Sequence, residues 1–173
     1  LFRSVERLID ECEAEVIKAA VPRYTYRVVD VKQTDDGVEI EGTGMVLKGN
    51  SIKEHLTGCD KAALIAVTLS DGIDRMLRVL QASDLAKAVV ADSLASAGIE
   101  QVCDKLERII KEELPEYNQT FRFGIGYGDL PLSQQGDFLK VLNAQRLVGL
   151  TVGKTYMMTP TKSVTAVIGL TTG

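Results

Sequence analysis

Histidine occurs once, cysteine three times and proline four times in the 173 residues, and each scarcity closes off a class of chemistry. A Cys/His zinc cluster or a Ser-His-Asp triad would have to be assembled around His55, and nothing near it in sequence supports either. No metal site is therefore expected. Cys12, Cys59 and Cys103 are far apart, odd in number and form no CxxC pair, which suits reduced thiols in a cytosolic core better than a disulfide framework. No apolar run approaches the roughly 18 residues that would span a bilayer. The N-terminal stretch alternates charge with hydrophobicity where a signal peptide would be apolar, so the expected setting is the cytoplasm, with no membrane partner. Positive charge is not in excess either. A net charge of -4 provides no basic field for counterion release, and nucleic acid is not an expected partner.

What remains is an ordinary globular composition, 45% hydrophobic and 25% charged, long enough for one domain over residues 1–173 with a sizeable core. Phe2, Val5, Leu8, Ile9, Val16 and Ile17 recur at near-helical spacing and predict an amphipathic helix that stops before Pro22. Tyr24 to Lys32 alternates as a strand, Asp35-Asp36-Gly37 reads as a turn, and Val38 to Val46 as the second strand of a hairpin. Lys61 to Leu69 is a continuous apolar run, expected as a buried strand, with a short helix from Ile73 to Leu80 after it. From a cap at Ser83 a helical pattern runs to Leu114, its first half rich in small residues: Ala86, Ala88, Ala91, Ala95, Ala97 and Gly98. Small side chains let another element come close.

Residues 116–133 read as a long loop. Ser133 is a candidate cap for a helix through Leu142, and Thr155 to Leu170 reads as two strands around Thr159-Pro160. The irregular alternation of helices and strands, with a hairpin first and a long helix in the middle, predicts an α+β fold. Its expected form is a twisted, mostly antiparallel sheet with a long central helix and flanking helices.

The glycines of the long loop, Gly124-x-Gly126-x-Gly128, invite comparison with a dinucleotide-binding fingerprint. The spacing does not support it. The third glycine of that fingerprint falls on Asp129, Pro131 breaks the following helix, and no ribose-binding acid ends a strand about 20 residues on. What the stretch does present is a guanidinium at Arg122, backbone amides made approachable by glycine, and an aromatic ring at Tyr127. That set suits a small zwitterion carrying a heteroaromatic ring. By residue type alone the more ordinary reading is an arginine in a surface turn whose glycines serve positive φ.

The run Arg122-Phe-Gly-Ile-Gly-Tyr-Gly-Asp-Leu-Pro131, then Gly149-Leu-Thr-Val-Gly-Lys-Thr-Tyr-Met-Met-Thr-Pro160, then Lys162-Ser163-Val164-Thr165, resembles the activation (reactivation) domain of vitamin B12-dependent methionine synthase, in a stand-alone form. The resemblance covers roughly the last 60 residues closely. It implies a module that binds S-adenosylmethionine and serves the reductive methylation of cob(II)alamin. The cobalamin would be carried by a separate methionine synthase chain, and the electron would come from a flavodoxin-like or other low-potential donor. Such a protein, a component of a methyltransferase of methionine biosynthesis, acts by proximity and orientation and needs no catalytic residue of its own.

By position, Arg122 is expected to hold the methionyl carboxylate and Gly124, Gly126, Tyr127 and Gly128 the adenosine, with Glu116 as the acid near the sulfonium. The chain departs from the family pattern in several places. A second family acid falls on Ser96, with Glu100 about one helical turn further, and the family's histidine falls near Ser133. No aspartate for the ligand's amino group is placed, Asp92 being a candidate for structure or site. These departures leave an alternative, a non-catalytic docking module for a corrinoid protein that has lost S-adenosylmethionine binding. His55-x-x-Gly58 has the spacing of a cobalamin-ligating motif, but Lys53 stands where that motif has aspartate, so cobalt ligation by His55 is not expected.

Overall fold

The computed structural model describes residues 2–172, with the side chains of Phe2 and Arg3 outside the description. Helix α1, Phe2–Ala19, leads into a long strand β1, Arg23–Gln33, and two short ones, β2, Gly37–Ile40, and β3, Met45–Lys48. Helix α2, Asn50–His55, precedes β4, Lys61–Thr68, which is followed by α3, Asp71–Ser83, and α4, Leu85–Glu113. The remainder holds β5, Tyr117–Gln119, β6, Phe123–Gly124, a 3-10 turn at Leu132–Gln134, α5, Gln135–Val141, and α6, Ala144–Val148. Strands β7, Thr151–Val152, β8, Met158–Thr159, and β9, Ser163–Thr172, end the described chain.

Seven strands form one sheet in the order β3-β2-β1-β4-β9-β5, with β6 also on β9, and every pairing is antiparallel. This is the expected α+β architecture. Its centre is buried on both faces, which is why β4 is an unbroken apolar run from Ala62 to Val67 and not an alternating one. Ala63, Ile65 and Val67 enter a core with α1, α3 and α4, together with Ala166, Ile168 and Leu170 of β9. Ala62, Leu64 and Ala66 enter a second core with Val167 and with Ile52 of α2, Phe138 of α5 and Val148 of α6. Two hydrophobic cores thus share one sheet, and the period of two along β4 and β9 assigns alternate residues to each.

Some expected elements take a different form. Among the described side chains of α1 the buried ones are Cys12 and Val16, while Val5, Ile9 and Ile17 are exposed, because the face turned to α4 follows positions 8, 12, 16 and 19. The segment expected as one strand from Val38 to Val46 is split: the Thr43 hydroxyl donates to the Ile40 carbonyl (2.7 Å) and accepts from the Met45 amide (3.1 Å), closing a turn between β2 and β3. The hairpin between β1 and β2 therefore pairs only Val31–Gln33 with Val38–Ile40. The cap of α4 is Asp84, whose carboxylate accepts from the Lys87 amide (3.1 Å), one residue past Ser83. Ser133 sits inside the 3-10 turn, and α5 starts at Gln135 with no side-chain cap. The stretch from Glu116 to Ser133 is not a free loop, since it contributes β5 and β6 to the sheet.

Helix α4, 29 residues and so about 43 Å long, lies across the sheet with Ala88, Ala91, Ala95, Ile99, Cys103, Leu106 and Ile110 buried. The alanines sit where α1 and α3 close over its first half. Ala97, on the opposite face, is exposed. Ala95→Leu is expected to overpack this contact and cost about 1–3 kcal/mol, whereas Ala97→Leu should stay within about 0.5 kcal/mol of the parent. Urea denaturation of the two variants measures the difference; equal midpoints would show that the small residues do not set the helix approach.

Candidate functional site

The site is made by an irregularity at the outer edge of β9. Strand β5 pairs Gln119 with Leu170, and β6 pairs Phe123 with Val167, so four steps along one strand face three along the other. One residue is in excess between Thr120 and Arg122, which makes this segment a β-bulge. The Thr120 amide donates to the Gly169 carbonyl (3.0 Å), and the Gly169 amide donates to the Thr120 hydroxyl (2.8 Å). In a strand, a slip of one residue exchanges the two faces. Here it sends Phe123 into the core beneath α5 and α6 and Arg122 to the side of α4.

On that side Arg122 meets three carboxylates. Glu100, Asp104 and Glu107 follow the i, i+4, i+7 spacing of one helical face. Nη2 of Arg122 donates to Glu100 (2.7 Å), and Nη1 donates to Asp104 (2.8 Å) and lies 3.1 Å from Glu107. Burial works against the guanidinium charge, but the hydrogen bond with Asp104 and the charge of Glu107 outweigh it and raise its pKa. Burial also pushes the Glu107 carboxyl above its ordinary value despite the pull of Arg122, with Asp104 adding to the rise. One positive charge facing three negative ones leaves an excess of negative charge.

Between α4 and the loop lies an open cavity of about 390 Å³. The three acids and Arg122 form one wall, Val164 and Ala166 of β9 the floor, and Phe121, Gly124 and Tyr127 the other wall. Phe121 and Tyr127 are exposed, at 73% and 69%. Gly124 lets the Tyr127 ring lie close over the turn: a Cβ there would stand 2.9 Å from that exposed ring, which would have to swing away. The Tyr127 amide closes that turn on the Gly124 carbonyl (3.1 Å), and Gly126 and Gly128 complete the loop with positive φ of 95° and 53°.

Helix α2 holds the loop at both ends. Asp129, where the dinucleotide fingerprint would need glycine, accepts from the backbone amides of Asn50 (2.7 Å) and Ser51 (2.8 Å). The Ser51 and Asn50 amides keep its carboxyl below the usual range. At the other end, His55 Nε2 lies 2.9 Å from the Thr120 hydroxyl, with its ring against Phe121 and Phe123.

Of the residues expected to form the site, Arg122, Gly124, Gly126, Tyr127 and Gly128 share this loop. Glu116 does not join them: it is exposed in the turn after Pro115, before β5, and does not line the cavity. The acids at the cavity come from α4, among them Glu100. Asp104 and Glu107 were missed, although their spacing with Glu100 on one predicted helix was a legible signal. Ser96 and Asp92 are occupied elsewhere, both holding Lys162 (2.8 and 2.9 Å) at the start of β9. Ser133 is exposed in the 3-10 turn and does not line the cavity. Among the described residues no group of histidine, cysteine and acidic side chains could hold a metal ion, and no helix is long and apolar enough to cross a membrane.

The lowered Asp129 pKa has a definite sign. Its contribution is present above the unfolded aspartate value of about 3.9 and is lost as pH falls through the lower folded value. Asp129→Asn should therefore lower the melting temperature at pH 7, with the gap to wild type closing in strong acid. A gap independent of pH would show that the carboxylate charge is not what anchors the loop.

Neither a protein-family profile nor a curated protein matches the sequence. Among solved structures, the chain is similar to a crystal structure of the MetH reactivation domain bound to AdoHcy, with a TM-score of 0.73 and 16% identity. The match covers 96% of this chain and 65% of that one, so the chain spans just under two thirds of its neighbour's length. At that identity the likeness establishes architecture, and the chain has the fold of the MetH reactivation domain.

Proposed function

We propose that the chain, as one activation-type domain, binds S-adenosylmethionine in the cavity beside Arg122–Gly128. In this reading it serves the reductive methylation of cob(II)alamin on a cobalamin-bearing methionine synthase supplied as a separate chain. The observation that carries the reading is the coincidence of loop and cavity: the stretch resembling the family's ligand loop lines a recess of about 390 Å³ in a fold whose solved neighbour holds AdoHcy. Recesses of this size suit a compact ligand that combines charge with a flat ring.

The charge of the recess fits a cationic ligand. A sulfonium about 4 Å from one carboxylate gains up to about 4 kcal/mol at an effective dielectric of about 20, and less beside the solvent-exposed Glu100 and Asp104. Glu100, Asp104 and Glu107 take the part first expected of Glu116. Arg122 would turn part of its donor set from Glu100 or Asp104, the two more exposed acids, to the methionyl carboxylate. The exposed Tyr127 ring offers a face for adenine, and the turns at Gly124, Gly126 and Gly128 bring main-chain groups within reach of its edge. S-adenosylmethionine supplies an electrophilic methyl group, so the work left to the chain is to hold and orient it. The docking partner would carry the cobalamin, a flavodoxin-like or other low-potential donor would supply the electron, and the setting would be cytoplasmic.

A second reading has one specific observation in its favour. Arg122 is already paired with three carboxylates, and Ser96, where the family has an acid, is bonded to Lys162. A chain that kept the fold and its corrinoid partner but lost the ligand would look the same in these respects.

S-adenosylmethionine at about a hundredfold its dissociation constant should stabilise the native state by roughly 2.7 kcal/mol, raising the melting temperature by several degrees. Arg122→Ala and Tyr127→Ala should each weaken binding in calorimetric titration at least tenfold, and Glu116→Gln should leave it unchanged. No thermal shift at millimolar ligand would favour the docking reading, and full binding by Arg122→Ala would place the ligand elsewhere.

A further inference from the structure

His55 is the chain's one histidine, and the proposed ligand contacts do not use it. Its position is unusual in what it touches. The imidazole Nε2 bonds the Thr120 hydroxyl (2.9 Å), its ring meets Phe121 edge-on (centroids 4.5 Å), and it lies 4.9 Å from Phe123. Those three residues bracket Arg122 and span the bulge that turns it toward α4. Thr120 in turn is tied to both polar groups of Gly169 across the bulge. Phe121 both lines the cavity and packs against the imidazole.

We propose that His55 is the positioning residue of this site: as a neutral imidazole it clamps Thr120 to Phe123 in the bulge and so aims Arg122 at the cavity, and its protonation releases that segment. A charged ring gains more from water than from a slot between two phenylalanines, and it reaches water by leaving them. Burial already lowers the tendency of His55 to protonate, against the pull of the Val167 and Phe121 carbonyls. Nearby charges do not oppose this. Lys53 and Glu54 lie on its own helix, and Lys53 donates to the Asp35 carbonyl (3.1 Å). Arg122 in the facing segment is matched by the α4 acids. Cys59 stays a thiol, pushed up by burial and Asp60, and β9 has no ionisable residue from Ser163 to Thr172. The neutral-histidine contribution is thus present above about pH 6.5 and is lost as pH falls through the lower folded value.

The dependence of ligand affinity on this clamp rests on the proposed S-adenosylmethionine reading; the clamp itself does not. Two measurements separate them. The first needs no ligand: hydrogen-exchange protection of the Thr120 and Gly169 amides, followed from pH 8 to pH 5 alongside the single imidazole NMR signal. Protection should fall severalfold as that signal titrates, stay flat in His55→Gln, which keeps a polar group near Thr120 without titrating, and be low at every pH in His55→Ala. Flat protection in the wild-type protein, an equal fall in His55→Gln, or full protection in His55→Ala would overturn the proposal. The second measures the S-adenosylmethionine dissociation constant over the same range. Wild-type affinity should drop by up to about tenfold per pH unit below the titration, with no such slope in His55→Gln, and added ligand should lower the imidazole pKa. If the wild-type protein binds no S-adenosylmethionine at pH 8, the proposed function fails while the exchange measurement still decides the role of His55.

Discussion

Strands β4 and β9 are buried on both faces, and a strand in that position must send every second side chain into a different core. This parity governs the molecule. It makes β4 apolar from Ala62 to Val67, since neither Leu64 nor Ile65 faces water, and it ties α1, α3 and α4 to one face and α2, α5 and α6 to the other. It also means that one residue added along the edge of β9 reverses the facing of every later residue in that edge segment. The bulge between Gln119 and Phe123 is such an addition. Continuing the β5 register would turn Arg122 toward the apolar core occupied by Phe123. With the bulge, the guanidinium reaches α4 and the phenylalanine fills the core.

The charge pattern of the site has the same origin. A guanidinium delivered beside one face of a long helix finds the acids spaced along that face, and Glu100, Asp104 and Glu107 compete for its donors. Three acids around one arginine both fix its side chain and leave negative charge over. The first property belongs to structure and the second to recognition of a cation. Tyr127 and Phe121, exposed across the recess, add the apolar surface that a cationic nucleoside-like ligand would cover.

The loop itself gains its shape from α2, a helix of only six residues. Its N-terminal amides hold the Asp129 carboxylate, and His55 at its last turn holds Thr120 and the two phenylalanines. The segment between these anchors needs little regular structure of its own. The glycines there give it tight turns, and the two anchors supply the rigidity that turns alone lack.

Read alone, the sequence determined the elements whose signal is local. The helical periods of α3 and α4, the apolar run of β4, the turn at Asp35-Asp36-Gly37 and the mixed antiparallel class all depend on residues within a few positions of one another. So does the loop Arg122 to Gly128, whose arginine, glycines and tyrosine are contiguous. Tertiary structure alone decided what depends on distant parts of the chain. Among its described residues α1 buries Cys12 and Val16, and not Ile9 or Ile17, because of where α4 lies. Glu116 is close to Arg122 in sequence but not in the cavity, whereas Glu100, Asp104 and Glu107, up to 22 residues away, are its partners. A one-residue bulge is invisible to pattern reading, because the excess exists only relative to a partner strand. The side of the sheet that Arg122 faces was therefore decided by its pairing with β9, more than 40 residues further along the chain.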